Sequence, residues 1–242
     1  MIRTIYLIVL AYFAVGLVFY FFIGHKLGPE KARHNWIKLL FYFLIINITF
    51  FSIAINTSYF RILAALIIIV GFYELFNLWR ISGFAVKEFY IISTIIYLIF
   101  CTGFCFFSGM EKGIILFTFM ILSIFDSFCQ IAGQLWGRTK LFPMISPQKT
   151  VEGFIGGTIV ALLSGYLLRN LIPGSPMKGI LLAIGIALFA FIGDLTKSIY
   201  KRKFGVKNFS NLIPEHGGLL DRFDSLIAGG AFIALIGILT EL

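Results

Sequence analysis

Residues 179–240 decide the fold class. They read GILLAIGIALFAFIGDLTKSI over 179–199, YKRKFGVKNFSNLIPEHGGL over 200–219 and LDRFDSLIAGGAFIALIGILT over 220–240. The first and last of these stretches are mostly apolar, whereas the middle one is polar and basic. A helix needs about 20 predominantly apolar residues to cross a bilayer. The segment therefore predicts two transmembrane helices joined by a polar loop.

The whole chain is similarly apolar. Of its 242 residues, 60% are hydrophobic and 13% are charged, whereas a soluble domain has about 25% charged residues. This composition excludes a soluble protein and indicates that the surrounding solvent is lipid. We predict an all-α fold, a polytopic membrane helical bundle of about eight transmembrane helices. The apolar runs that predict these helices are residues 4–24, 37–55, 59–79, 88–108, 113–136, 153–172, 179–199 and 220–240.

The net charge of +9 is distributed unevenly along the chain. Most of the 20 Lys and Arg residues fall in alternate loops, and basic loops of membrane proteins stay in the cytoplasm. We therefore expect these loops in the cytoplasm, both termini outside, and a bacterial inner membrane as the location. The first apolar run is expected to be a retained helix because no cleavage pattern of a signal peptide follows it. No RNA-binding pattern of interleaved aromatic residues in a polar segment is evident, so no nucleic acid partner is expected.

Four aspartates lie within the apolar runs of the second half: Asp126, Asp194, Asp221 and Asp224. An ionised carboxylate at the centre of a bilayer costs at least about 2.5–3.5 kcal/mol, so these groups need partners. Helical spacing places two polar faces at the cytoplasmic ends of the last two helices. One face carries Asp194, Lys197, Ser198 and Lys201, and the other carries Asp221, Asp224 and Ser225. Such faces suit a metal-bound phosphate, although interfacial salt bridges Asp194–Lys197 and Asp221–Arg222 are an alternative. The first four helices carry little beyond Glu74 and Glu88 near helix ends.

The loop before the last helix combines basic residues with a His-Gly-Gly turn, residues 216–218. Basic loops alone report topology, but adjacent glycines let backbone N–H groups form a concavity that suits an anion. The turn also lies at a helix N-terminus, where the helix dipole favours phosphate. We expect Gly217 and Gly218 to bind phosphate there, with His216 as a contact or an orienting group.

A second polar segment, residues 146–153, precedes the predicted helix 153–172. Its Thr150 and Glu152 are typical of a helix N-terminus, which is the simpler interpretation. Ser146, Lys149 and Thr150 also lie on the cytoplasmic side, near the carboxylate groups. No Walker A sequence is present, so a nucleotide site would be of another kind.

These motifs together carry a family resemblance. Ser198-x-x-Lys201-Arg202, followed by Lys207, Pro214, His216-Gly217-Gly218 and Asp221-Arg222-Phe223-Asp224-Ser225, resembles the signature of the phosphatidate cytidylyltransferases, also called CDP-diacylglycerol synthases. The segment Ser146-Pro147-x-Lys149-Thr150-x-Glu152-Gly153, and Asp126 with Gly133 and Gly137, are similar to other blocks of that family. The resemblance covers about residues 120–230. It implies a catalytic region over residues 111–242, while residues 1–110 form transmembrane helices of uncertain role.

The resemblance implies a membrane enzyme that converts CTP and phosphatidate into CDP-diacylglycerol and pyrophosphate with Mg²⁺ as cofactor. The implied metal ligands are Asp194, Asp221 and Asp224. The implied catalytic residues are Asp194, Ser198, Lys201, Arg202, His216, Asp221, Arg222 and Asp224. The implied substrate-binding residues are Asp126, Ser146, Lys149, Thr150, Glu152, Lys197, Lys207, Gly217, Gly218 and Ser225.

Two positions depart from the family pattern: Asn208 stands where the family usually has Asp, and Glu215 where it usually has Gly. A related enzyme that uses CTP on another lipid phosphate or alcohol therefore remains an alternative. An ion-coupled transporter is a second alternative, because intramembrane Asp126 and Asp194 could bind a cation. A catalytically inactive membrane scaffold is a third. The oligomeric state is open, and a homodimer is among the alternatives.

Overall fold

The computed structural model describes residues 3–7, 9–11, 13–14, 17, 29–213 and 217–240. Its architecture is a bundle of seven long helices with one small β-hairpin in the part of the chain described from residue 29 onward. The helices are α1 (Pro29–Ile55), α2 (Thr57–Ile81), α3 (Lys87–Ser108), α4 (Lys112–Trp136), α5 (Val151–Leu167), α6 (Pro176–Lys203) and α7 (Leu220–Thr240). The hairpin strands are β1 (Lys140–Phe142) and β2 (Ser146–Thr150), and a short 3₁₀ turn, Arg169–Leu171, follows α5.

The prediction of an all-α membrane bundle is confirmed. Within the described residues, α2, α3, α4, α6 and α7 are long and apolar enough to cross a membrane, and two shorter apolar helices cover Leu39–Ile55 and Val151–Leu167. The number of eight crossings stays a prediction, because much of the predicted helix 4–24 lies outside the described residues.

The β-hairpin between α4 and α5 was not predicted. Its strands are antiparallel, with Lys140 opposite Thr150 and Phe142 opposite Ser146. Thr150 then accepts a 3.1 Å hydrogen bond from the backbone N–H of Gly153 and caps the start of α5. This agrees with the helix-start interpretation of residues 146–153, and it fixes the hairpin at the end of a helix.

α4 lies at the centre of the bundle and positions Asp126 there. It is the most buried of the five long apolar helices, with 61% of its most apolar 18-residue window buried. α4 also packs closely on α5, since a Cβ at Gly157 would lie 2.3 Å from the sulfur of Cys129 and 2.9 Å from the carbonyl oxygen of Phe125. Only glycine allows this close approach of the two helices.

A second close contact joins α6 and α7 beside the predicted site. A Cβ at Gly193 would lie 2.6 Å from the Cβ of Ala228 and 2.9 Å from the carbonyl oxygen of Asp224. The glycine therefore brings the backbones of the two helices together one residue before Asp194. This packing places Asp194 and Asp224 on adjoining turns of neighbouring helices.

Candidate active site

A cavity of about 690 Å³ opens between α1, α4, α6, α7 and the hairpin. Its size is that of a site for a small molecule or a lipid headgroup. Most of the residues predicted from the sequence line it. They are Asp126, Ser146, Lys149, Thr150, Asp194, Lys197, Ser198, Lys201, Arg202, Lys207, Asp221, Arg222, Asp224 and Ser225.

Lys197 links the carboxylates at the centre of the cavity. Its Nζ lies 3.0 Å from Oδ1 of Asp194 and 2.8 Å from Oδ1 of Asp224. It also donates a 2.8 Å hydrogen bond to the backbone carbonyl of Asp221. The Nζ of Lys149, from the hairpin, forms an ion pair with the other oxygen of Asp194. Two lysines therefore hold the carboxylates of α6 and α7 together.

Asp221 has a different set of partners from Asp224. Its Oδ1 lies 2.5 Å from Nζ of Lys201, and both side chains are buried. Its Oδ2 accepts 3.0 Å hydrogen bonds from the backbone N–H groups of Phe209 and Gly218. The alternative ion pair of Asp221 with Arg222 is therefore wrong, because the buried partner is Lys201 on α6. Asp221 fastens the loop between α6 and α7 to the start of α7.

Asp224 keeps one carboxylate oxygen without a partner among the described residues. Its Oδ2 is buried and receives no hydrogen bond from the part of the chain that the structure describes, whereas Oδ1 is paired with Lys197. An unpaired buried oxygen costs free energy unless a ligand completes its contacts. Asp126, which is exposed in the cavity, is close enough to Asp194 and Asp224 for the three charges to interact.

These oxygens fit a magnesium ion that also binds substrate. Among the described residues, no three His, Cys, Asp or Glu side chains converge as a metal site by themselves. Mg²⁺, however, is often held by one or two carboxylates, with waters and phosphate oxygens as the remaining ligands. The free oxygen of Asp224 supplies one such ligand. The neighbouring carboxylate of Asp194 would supply the other if Lys197 or Lys149, which now pair with its two oxygens, turned to a phosphate oxygen. Both carboxylate oxygens of Asp221 already have protein partners, so its predicted role as a ligand would require those contacts to change.

The cavity has an excess of positive charge. Among the described residues, six basic side chains line it against four aspartates, a difference of two positive charges. The basic residues are Lys149, Lys197, Lys201, Arg202, Lys207 and Arg222. This field favours an anionic ligand, and phosphate groups satisfy clustered Lys and Arg donors particularly well.

Part of the cavity wall is apolar. It includes Tyr42, Ile45 and Ile46 of α1 and Phe119 and Leu122 of α4. The sequence did not predict this wall, because α1 carries no charged motif in its apolar part. The cavity thus has both charged and hydrocarbon-like side chains in its lining.

Among the described residues, three predicted site residues do not line the cavity: Glu152, Gly217 and Gly218. The carboxylate of Glu152 accepts hydrogen bonds of 3.1 and 3.2 Å from the backbone N–H groups of Arg138 and Thr139. Its pKa lies below the ordinary value, first because its own backbone N–H bonds the carboxylate and then because that of Arg138 does. Glu152 therefore fixes the turn between α4 and the hairpin.

The phosphate-binding role of Gly217 and Gly218 stays a prediction. The backbone N–H of Gly217 donates to the carbonyl of Ile213 at 3.0 Å, and that of Gly218 donates to Asp221. These donors serve protein acceptors in the structure, so phosphate binding there would require these contacts to change. The prediction for His216 lies outside the described residues, as does the departure at Glu215.

Sequence reasoning missed the role of Glu74. This residue of α2 is 1% exposed, and its carboxylate accepts hydrogen bonds of 2.9 and 2.8 Å from the backbone N–H groups of Leu219 and Leu220. The hydroxyl of Ser210 donates to it at 2.6 Å. The sequence did signal that Glu74 needs a partner, because a carboxylate within an apolar run is costly to bury alone. Its partners could not be predicted, since they lie about 140 residues away in the sequence.

The long apolar helices indicate an integral membrane protein, and the basic lining of its internal cavity suits an anionic ligand. Residues 91–239 match the sequence model of the Cytidylyltransferase family. That match covers more than half of the chain, and the protein belongs to this family. The matched region, residues 91–239, includes every described cavity residue of α4, α6, α7 and the hairpin. Glu74 and the cavity residues of α1 lie before this region in the sequence.

Curated relatives carry a more specific name. A phosphatidate cytidylyltransferase from Staphylococcus saprophyticus is 44% identical over 115 residues, which is 47% of this chain and 44% of the relative. A phosphatidate cytidylyltransferase from Staphylococcus aureus is 40% identical over 130 residues, which is 52% of this chain and 50% of the relative. The chain spans about half the length of the curated relatives it matches.

Proposed function

We propose that the protein transfers the cytidylyl group of CTP to phosphatidate, forming CDP-diacylglycerol and pyrophosphate. The observation that carries this proposal is a cavity lined by both charged and apolar residues, in a chain of the Cytidylyltransferase family. Its charged side chains suit the phosphates of both reactants, and its apolar wall suits the acyl chains of a lipid. The relatives named for this activity support the choice of phosphatidate over other lipids.

Charge neutralisation is the main task of the site. A nucleoside triphosphate and a lipid phosphate are both highly anionic, so their approach is opposed by electrostatic repulsion. Six Lys and Arg side chains line the cavity and offer donors to the phosphate oxygens of both reactants. Lys197 lies between Asp194 and Asp224, and this position holds its charge at the centre of the site.

The nucleophile needs no general base from the protein. The second pKa of a phosphate monoester is about 6, so the lipid phosphate is already ionised at neutral pH. One of its oxygens attacks the α-phosphorus of CTP, and the bond from that phosphorus to the β-phosphate oxygen breaks. Pyrophosphate then leaves with the electron pair of that bond. Positioning and electrostatic stabilisation therefore account for most of the catalysis.

Asp194 and Asp224 are the residues that would hold Mg²⁺, with Asp126 close by in the cavity. The ion would neutralise charge on the triphosphate and stabilise the leaving pyrophosphate. Lys149 and Lys197, which pair with these aspartates, then have phosphate oxygens within reach as alternative partners. Asp221 and Lys201 keep the loop and α7 in place beside the reactants.

The membrane orientation belongs to the same proposal. The positive charge of the alternate loops supports a cytoplasmic position for the charged residues of the cavity, on the side where CTP is available. The wall of Tyr42, Ile45 and Phe119 would receive the acyl chains from the bilayer. The inner membrane of a bacterium, with about eight crossings, is the location we propose.

The test is the formation of lipid-soluble label from labelled CTP. Purified protein in detergent would be incubated with Mg²⁺ and phosphatidate, in parallel with Asp224→Asn and the control Glu88→Gln, which alters an exposed carboxylate of α3. We expect product with wild type and the control, and a loss on the order of 10²–10³-fold with Asp224→Asn. Equal activity in all three proteins would contradict the assignment of the site, and absence of product from wild type would contradict the activity.

A further inference from the structure

We propose that Glu74 of α2 is a positioning residue for the reaction, acting through the loop and first turn that hold Asp221. The inference rests on the proposed function, since Asp221 and Lys201 line the same cavity. Glu74 itself does not line that cavity and lies outside the region matched by the family. Its role would be to fix where α7 begins.

The carboxylate caps the N-terminus of α7 from another helix. Its two oxygens accept the backbone N–H groups of Leu219 and Leu220, at 2.9 and 2.8 Å. The first N–H groups of a helix have no partner within the helix, and an acidic group there also interacts favourably with the helix dipole. Glu74 therefore fixes both the starting residue of α7 and its rotation about the helix axis.

The same carboxylate also holds the preceding loop. Oε1 accepts the hydroxyl of Ser210 at 2.6 Å in addition to the N–H of Leu219. A Cβ at Gly218 would lie 2.5 Å from Oε1, so the backbone there approaches Glu74 as closely as glycine permits. Both ends of the segment 210–219 thus meet at one buried carboxylate.

Asp221 depends on this arrangement. It lies one residue after Leu220, and its Oδ2 accepts the N–H of Gly218 from the turn that Glu74 contacts. Its Oδ1 pairs with Lys201 of α6 at 2.5 Å. A shift of the first turn of α7 would therefore displace Asp221 and, through their ion pair, Lys201. A misplacement of about 1 Å can reduce a rate by about 100-fold.

Glu74→Gln is the test variant, because glutamine keeps the size of the side chain. One carboxylate oxygen becomes an NH₂ group, which cannot accept and would face a backbone N–H or the Ser210 hydroxyl. We expect kcat to fall by roughly 10–100-fold with little change in KM for CTP, since the basic residues that bind phosphate are retained. Glu88→Gln, an exposed carboxylate on the next helix, is the matched control and should behave as wild type.

Hydrogen exchange measured by mass spectrometry supplies the second readout, and it does not depend on activity. In Glu74→Gln we expect roughly tenfold or faster exchange in a peptide covering 209–222, with unchanged protection in a peptide of α4. Faster local exchange together with reduced kcat supports the proposal. Unchanged exchange, or faster exchange with normal kinetics, overturns it.

Ser210→Ala covers the case in which Glu74→Gln unfolds the whole protein. Ser210→Ala removes one hydrogen bond to Glu74 and leaves both backbone hydrogen bonds that cap α7. We therefore expect kcat to fall and exchange in 209–222 to rise, each by less than in Glu74→Gln. If neither changes, the proposal is overturned. If wild type makes no CDP-diacylglycerol, the proposed function fails, and hydrogen exchange with equilibrium binding of CTP decides the positioning role. Faster exchange confined to 209–222 with unchanged affinity for CTP then supports it, and unchanged exchange overturns it.

Discussion

The buried ion pair between Asp221 and Lys201 offers the sharpest test of how the site is built. The two side chains are 2% and 11% exposed, and their charged atoms lie 2.5 Å apart. Asp221→Asn would leave the Lys201 charge buried without its partner and would direct an NH₂ group towards either that charge or a backbone N–H. Removing one partner of a buried ion pair costs about 3–5 kcal/mol. At about 2–4 °C per kcal/mol for a chain of this size, the melting temperature should fall by roughly 6–20 °C.

The assay is thermal unfolding of the detergent-solubilised protein, followed by a double-mutant cycle. Lys201→Met in the Asp221→Asn background removes the stranded charge, so the double variant should regain part of the loss, with a coupling of about 0.5–3 kcal/mol. Lys203→Met, an exposed lysine two residues further along α6, is the control and should change stability by less than about 0.5 kcal/mol. Strictly additive effects of Asp221→Asn and Lys201→Met would refute the reasoning.

Three further predictions concern other parts of the molecule. Glu152 has a lowered pKa, so its stabilisation of the turn between α4 and the hairpin is present at neutral pH and is lost as the pH falls through the folded-state pKa. Hydrogen exchange at residues 138–139 should therefore depend on the ionisation of Glu152, and Glu152→Gln should remove that dependence. Gly193→Val should force α6 and α7 apart, because a Cβ would lie 2.9 Å from the carbonyl oxygen of Asp224, and calorimetry should show a loss of about 1–3 kcal/mol. Ile46→Trp should raise KM for long-chain phosphatidate with an unchanged KM for CTP, since Ile46 belongs to the apolar wall of the cavity.

Local features of the sequence were sufficient for the helices. Each spanning segment is an apolar run of the required length, and α7 begins and ends at the predicted residues 220 and 240. The polar faces of α6 and α7 were also predictable, because residues at i, i+3 and i+4 lie on one side of a helix. This spacing places Asp194 beside Lys197 independently of the rest of the fold. The hairpin could not be predicted in the same way, since its strands are short and their pairing gives no periodic signal.

Contacts between distant segments decided the parts that sequence reasoning missed. The alternative to a metal site paired Asp221 with its neighbour Arg222, but the burial of α7 against α6 makes Lys201 its partner. Gly217 and Gly218 have the flexibility of an anion-binding turn, yet the nearest acceptors are Ile213 and the Asp221 carboxylate. The role of Glu74 depends on the packing of α2 against the start of α7, which spacing alone does not reveal.

Identification of the lipid product tests the central claim most directly. Wild-type protein would receive CTP, Mg²⁺ and an equimolar mixture of phosphatidate and a polyprenyl phosphate, and the lipid fraction would be analysed by mass spectrometry while released pyrophosphate is measured. The account predicts CDP-diacylglycerol and pyrophosphate in equal amounts, with no cytidylylated polyprenyl lipid. A cytidylylated polyprenyl lipid as the main product, or pyrophosphate release without any lipid product, would contradict it.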